Sequence, residues 1–306
     1  MNKIYEINRL FINFTLIPRN YTKTFINNKY SFITLQIVGG QDTMEEEDKN
    51  ESLQNELAER ARTNIQGFDN LISGGFPRSF NILLTGGPGT GKTIFGMQYL
   101  FNGATKYGEV GLFVSFEQSG DKLKRQAAQF EWNLDALEKT GEVHIMHIPA
   151  RQINKKTVQK IKNYAQKYSI KRIVIDSLST LVINAPIYST LSELNMMEKV
   201  SGKTYVSPPI IGEQIINRFL YSFIDELKEI DSTNILIAEA SQAKRNNEEI
   251  LSGEYACDGV IKLGFENMGG EHSRSMIIRK MRETKNDENI HPVEIGKNGI
   301  VIHKPR

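Results

Sequence analysis

The sequence predicts an α/β protein: a doubly wound, mostly parallel sheet that finishes with an antiparallel edge. Three observations lead there. From residue 80 onward, short β-rich runs alternate with amphipathic stretches. Two of the runs, RIVIDSL (172–178) and NILIAEA (234–240), are apolar on both faces, as strands covered by helices on each side must be. After Cys257 the helical patterns stop and strand-like runs follow one another directly.

The elements follow in chain order. The first 43 residues are rich in Asn, Ile, Phe and Tyr and show no clear helical or strand periodicity. LFINFTLI (10–17) is apolar but broken by Asn13 and Thr15, and no small-residue cleavage pattern follows it, which argues against a secretory signal. An acidic polar stretch begins at Met44. Residues 1–59 are therefore expected to be a poorly ordered tail and lead-in, with 1–43 also readable as a start codon placed too early. Residues 60–306 are expected to form a single catalytic domain. Its strands are read at 81–86, 110–116, 143–148, 172–178, 234–240, 259–265 and 275–281, and its helices at 91–105, 119–131, 154–168 and 212–230.

Bulk properties exclude several classes. A net charge of +2 and a pI near 8.4 are too mild to advertise a polyanion partner. The single cysteine, Cys257, rules out an intramolecular disulfide framework. No apolar stretch approaches the ~18 residues of a membrane span. The expectation is a soluble cytoplasmic protein without a membrane partner.

GGPGTGKT (86–93) fits G-x-x-x-x-G-K-[ST] at Gly86, Gly91, Lys92 and Thr93, with a strand before it and a helix after it. Glycines let backbone N–H groups turn inward around phosphate oxygens, and the helix N-terminus adds a favourable dipole. The expected nucleotide cradle is Gly87, Pro88, Gly89, Thr90, Gly91, Lys92, Thr93 and Ile94. Lys92 is expected to reach the β- and γ-phosphates of ATP and Thr93 to bind Mg²⁺ through its hydroxyl.

A carboxylate at the end of another buried strand should complete the magnesium site, and Asp176 closes RIVID (172–176). Taken alone, Asp176 is equally an ordinary strand-end Asp capping the next turn. Hydrolysis also needs a group that orients water. FVSFEQ (113–118) puts Glu117 at the carboxyl end of the strand after the P-loop helix, where ligands of such sheets bind. Its alternative role is to cap the helix that starts near residue 119.

These parts resemble the RecA-like ATPases, and within them the KaiC-type domain of the circadian clock protein and its archaeal relatives. The resemblance runs over residues 62–303. It rests on RTNIQGFDNLISGGFP (62–77), the P-loop, FVSFEQ, IDSLSTL (175–181), EYACDGVIKL (254–263) and RKMRETKNDENIHPVEIGKNGIVI (279–302). It implies a RecA-like sheet and a homo-oligomeric, six-membered ring with nucleotide between subunits. Lys280 and Arg282 then match the family's Lys-x-Arg, cations placed on a neighbour's γ-phosphate; a spacing of two on a strand puts both on one face. Without the resemblance, the same run reads as a solvated charged edge. Gln242, in AEASQ (238–242), matches a residue that senses the γ-phosphate.

The chain also departs from the family pattern. Gln118 stands where the family has a second carboxylate, and Glu254–Tyr255 stand where the autokinase lobe has Ser-Thr. The connection 184–211 is expected to be a lid or a surface for a protein partner; its only cations, Lys199 and Lys203, argue against DNA. Alternatives to a partner-coupled ATPase are a RecA/RadA-type DNA-dependent ATPase, a nucleotide-gated scaffold with vestigial hydrolysis, and a clock-type autokinase.

Overall fold

The computed structural model describes residues 60–154, 156–184, 208–239, 254, 256–268 and 271–305, together with four strands nearer the N-terminus. Two units are distinguished, Met1–Glu56 and Leu57–Arg306. The first holds two antiparallel hairpins, β1 (Lys3–Ile7) with β2 (Leu10–Phe14) and β3 (Thr22–Asn27) with β4 (Ser31–Gln36).

The second unit opens with a small antiparallel pair, β5 (Arg60–Ala61) and β6 (Phe76–Pro77), and leads into β7 (Asn81–Gly86). Helix α1 (Lys92–Tyr107), β8 (Gly111–Ser115), α2 (Gly120–Ala128), α3 (Leu134–Thr140) and β9 (Val143–His147) follow. Next come α4 (Thr157–Lys167), β10 (Arg172–Asp176), α5 (Leu178–Ile183), α6 (Pro208–Lys228) and β11 (Thr233–Glu239). The chain closes with β12 (Gly259–Met268), β13 (Glu271–Met281), β14 (His291–Gly296) and β15 (Gly299–Ile302).

Nine of these strands form one sheet in the order β15-β14-β13-β12-β7-β11-β10-β8-β9. The six from β12 to β9 are parallel, while β13, β14 and β15 are antiparallel. The doubly wound sheet with its antiparallel C-terminal edge is thus the architecture observed. One strand ends earlier than its apolar run: β10 stops at Asp176, and Ser177 caps α5 by accepting from the Thr180 amide. Helix α3 fills a stretch not read as an element, with the Asn133 side chain accepting from the Ala136 amide at its start.

Strand alternation sorts the core into two layers. Ile82 and Leu84 of β7 face α1, α2 and the lead-in residues Ile65, Phe68 and Phe76; Leu83 faces the layer of α4, α5 and α6. Close approach of α1 to β10 needs small residues. A Cβ on Gly96 would lie 2.8 Å from Val174 Cγ1, and one on Gly103 would meet the Arg172 side chain at 2.5 Å. That contact brings the first turn of α1 beside the carboxyl end of β10.

Candidate functional site

The P-loop sits where β7 hands over to α1, at the carboxyl end of the parallel strands. Gly89 (φ 75°) and Gly91 (φ 103°) hold left-handed conformations that side chains rarely adopt. Gly86 has a second reason to be glycine: a Cβ there would lie 2.4 Å from the Leu263 carbonyl oxygen. Thr90 Oγ1 donates to the Gly87 carbonyl at 2.9 Å, pinning the loop.

Lys92 Nζ donates to the carbonyl oxygens of Gly86 and Gly87, each at 2.8 Å. Burial holds its pKa below the usual lysine range, opposed by the negative charges of Glu239, Asp176 and Glu117. The ammonium is therefore already seated on the loop that would wrap a phosphate, inside a group of carboxylates.

Thr93 Oγ1 donates to Asp176 Oδ2 at 2.8 Å. Burial pushes the Asp176 carboxyl up to about 6, with the Thr93 hydrogen bond pulling the other way. Its charged form lacks enough compensation, which is the condition a bound cation would relieve. Among the described residues no group of three or more His, Cys, Asp or Glu side chains could hold a metal. Magnesium does not require one, since it keeps several waters and uses one or two carboxylates plus substrate phosphates. The Thr93–Asp176 pair fits that pattern.

Glu117 lies just past β8 and does not cap α2. Its Oε1 accepts from Ser177 Oγ at 2.9 Å and from Thr180 Oγ1, and Ser177 and Thr180 are themselves 2.9 Å apart. The hydroxyls hold the carboxylate against the start of α5, next to Asp176. Gln118 does not join this cluster; its backbone amide donates to Ser115 Oγ at 3.0 Å.

A cavity of about 450 Å³ opens from the loop, lined by Gly89, Gly91, Lys92, Thr93, Ile94, Gln126, Gln129, Phe130, Arg274 and Ile295. Arg274 Nε donates to the Gly89 carbonyl at 3.2 Å, and its guanidinium lies 5.4 Å from the Phe265 ring centroid. Sequence reasoning missed Arg274, Phe130 and Glu239. Glu239 was the accessible one, because it ends a core strand on the crevice side. Arg274 and Phe130 reach the cavity through sheet and helix packing, which spacing does not reveal.

Lys280 and Arg282 are brought together, but at the other end of the sheet. Gly259 pairs with Ile82 on one side and with Met281 on the other. Register slips by one between Val260 and Ile261, so Arg279 is an extra residue in β13. Met276, Ile278 and Met281 all enter one core layer, while Lys280 turns the opposite way. Its Nζ donates to the carbonyls of Glu254 (3.0 Å) and Cys257 (2.7 Å), and Arg282 pairs with Asp258 at 3.0 Å. Asp258 is in turn tied to Asn81, the first residue of β7. From Asn81 to Gly86 is five residue steps, about 17 Å of strand. Gln242 lies outside the described residues, as does most of the 184–211 connection.

This chain is similar to known proteins in three comparisons. A family profile described as the KaiC ATPase matches residues 61–205 and 209–306. A UPF0273 protein of Aeropyrum pernix is 29% identical over 266 residues, covering 81% of this chain and 94% of its own. One of Saccharolobus solfataricus is 30% identical over 262 residues, covering 79% and 82%. The crystal structure of a KaiC-like protein of Pyrococcus horikoshii superposes with a TM-score of 0.64 at 33% identity, covering 80% of this chain and 99% of that one.

Proposed function

This chain belongs to the KaiC family of ATPases, and from that premise we propose that it binds and hydrolyses ATP as an oligomeric ring with active sites shared between neighbours. Six subunits is the number the family resemblance suggests. The observation that carries the reading is the placement of Arg282 level with Asn81, about 17 Å of strand from its own P-loop, and of the Lys280 ammonium beside it, turned back from the level of Leu83 to the Cys257 carbonyl. A cation pair there cannot serve the phosphates of its own chain, whereas a neighbouring copy can present it to them.

Within one crevice the roles divide by chemistry. The P-loop amides and Lys92 bind the phosphates, and Arg274 adds a cation beside Gly89. Glu117 holds and polarises the attacking water, kept in place by Ser177 and Thr180. Thr93 and Asp176 would hold Mg²⁺, which when bound neutralises charge on the β- and γ-phosphates. Turnover then drives a change in ring conformation or in the binding of a protein partner.

The test is specific activity against protein concentration, with sizing in the presence and absence of ATP. A shared site predicts that ATP turnover per subunit falls on dilution, in step with loss of the oligomer. Turnover per subunit that stays constant down to a species sized as monomer contradicts it.

A further inference from the structure

A second charged surface lies on residues that do not line the crevice. From Val143 to Ile175 the chain has no Asp or Glu, while Lys and Arg recur throughout. Some of these cations are neutralised: Lys162 by Glu226 and Glu229, Lys171 by Asp231, and buried Arg172 by Glu109. Lys156, Lys160 and Lys167 are exposed. Among the described residues these three have no ion-pair partner.

The three lysines share a face. Positions 156, 160 and 167 fall within ~40° of one another around a 3.6-residue helix. That face is turned away from the buried line Thr157, Ile161 and Ala165, and away from Lys162 on the α6 side. It spans about 16 Å along the axis.

Aromatic rings stand beside it. Tyr164 borders the lysine face, and its hydroxyl lies 3.1 Å from His144 Nδ1 on β9. Tyr168, 38% exposed, sits 4.5 Å from the Tyr164 ring and 4.6 Å from His144, with the Lys167 ammonium 5.0 Å from its centroid. β9 is the outermost strand at this end of the sheet. Glu138, whose charge reaches His144 and Tyr164, is paired with Lys124, and Glu142 accepts from Thr140.

We propose that this face of α4, with the His144–Tyr164–Tyr168 cluster, binds single-stranded nucleic acid. Lysines spaced along 16 Å follow a phosphate backbone, and half-exposed rings at one end offer a stacking platform for bases. Such a run suits the low end of the ~4–16 nucleotide footprints of sequence-tolerant single-strand binders. An acidic polypeptide would satisfy the lysines and leave the rings unused. A net charge of only +2 is no obstacle, because the charge is local. The surface lies outside the P-loop crevice and stands or falls independently of the ATPase reading.

The experiment is fluorescence anisotropy with labelled dT20 and U20 on the full chain, at about 50 mM and 200 mM salt. The proposal expects binding of at least one oligomer, and the two arms show whether DNA or RNA is preferred. In the triple variant Lys156→Gln, Lys160→Gln, Lys167→Gln, the slope of log affinity against log salt should shrink by about 2. Tyr168→Ala should weaken binding about five- to hundredfold, leaving the salt slope unchanged. Neither variant touches the buried core, and an unchanged far-UV circular dichroism spectrum and melting midpoint confirm the fold. No binding of either oligomer, wild-type affinity in both variants, or equal binding of polyglutamate would each overturn the proposal.

Discussion

One sheet carries two lysines in matching situations at its opposite ends. Lys92, at the carboxyl end, is seated on the carbonyls of Gly86 and Gly87; Lys280, near the amino end, is seated on those of Glu254 and Cys257. Burial lowers the pKa of both. The company they keep differs. Glu239, Asp176 and Glu117 surround Lys92, whereas the charge acting most strongly on Lys280 is the like charge of Arg282. One end gathers acids that suit a metal-bound nucleotide; the other holds Lys280 and Arg282, the arginine paired with Asp258. On the proposed reading these ends are complementary halves of a site, and halves on one sheet would meet only between copies.

The comparison breaks most visibly if the cation end proves idle. Arg282→Ala should lower kcat about 10³-fold or more while ATP still binds, because a trans arginine acts on the transferring phosphoryl group. Steady-state turnover beside an equilibrium nucleotide-binding assay separates the two effects. Loss of binding with turnover per bound ATP unchanged would reassign Arg282 to structure through its Asp258 pair.

At the acid end, Glu117→Gln should reduce kcat about 10²–10⁴-fold with nucleotide affinity retained. The amide can still accept from Ser177 and Thr180, so the local hydrogen bonds survive while the basicity goes. Full turnover in this variant would shift water activation away from Glu117.

A smaller effect concerns stability rather than rate. The Asp176 carboxyl has a folded pKa of about 6, above its ordinary 3.8. Between those values the native state holds more protons than the unfolded state, so stability falls as pH rises through that window. Asp176→Asn should then stabilise the nucleotide-free protein by about 1–3 kcal/mol at pH 7, with the gain vanishing below about pH 4. Denaturant melts at the two pH values test this, and the same variant should lose hydrolysis. No stabilisation at pH 7 would mean that Asp176 is compensated by groups other than Thr93 and Lys92.

Sequence made the acid end legible because its chemistry is local. Glycines at fixed offsets, Lys92, Thr93 and a strand-end Asp176 carry their meaning within a few residues. Glu117 was readable from its place at the carboxyl end of the strand after the P-loop helix. Arg274 was not, although it directly precedes the run that ends in Lys280 and Arg282. Its route to Gly89 depends on the antiparallel pairing of β12 with β13, and its neighbours in sequence serve the opposite end of the sheet. The bulge at Arg279 shows the same limit: alternation predicted a shared face for Lys280 and Arg282, but not that Met281 would return to the layer of Met276 and Ile278. Long-range pairing decides both.

An effect of similar size tests the contact that sets the acid end. Gly96→Ala places a Cβ 2.8 Å from Val174 Cγ1, so α1 or the Val174 side chain on β10 must give way. A cost of about 1–3 kcal/mol is expected, with weaker nucleotide affinity as Thr93 draws back from Asp176. Stability lost with affinity unchanged would show that the spacing between α1 and β10 does not govern the site.

The most direct test is subunit mixing. Lys92→Ala subunits lack a working nucleotide cradle but keep Lys280 and Arg282; Arg282→Ala subunits keep the cradle and lack the trans cation. Each alone should be inactive, and mixed before assembly they should regain ATP turnover, through interfaces that pair an intact cradle with an intact Arg282. Mixtures no more active than the sum of their parts, in rings shown by sizing to have exchanged subunits, would contradict a site shared between neighbours.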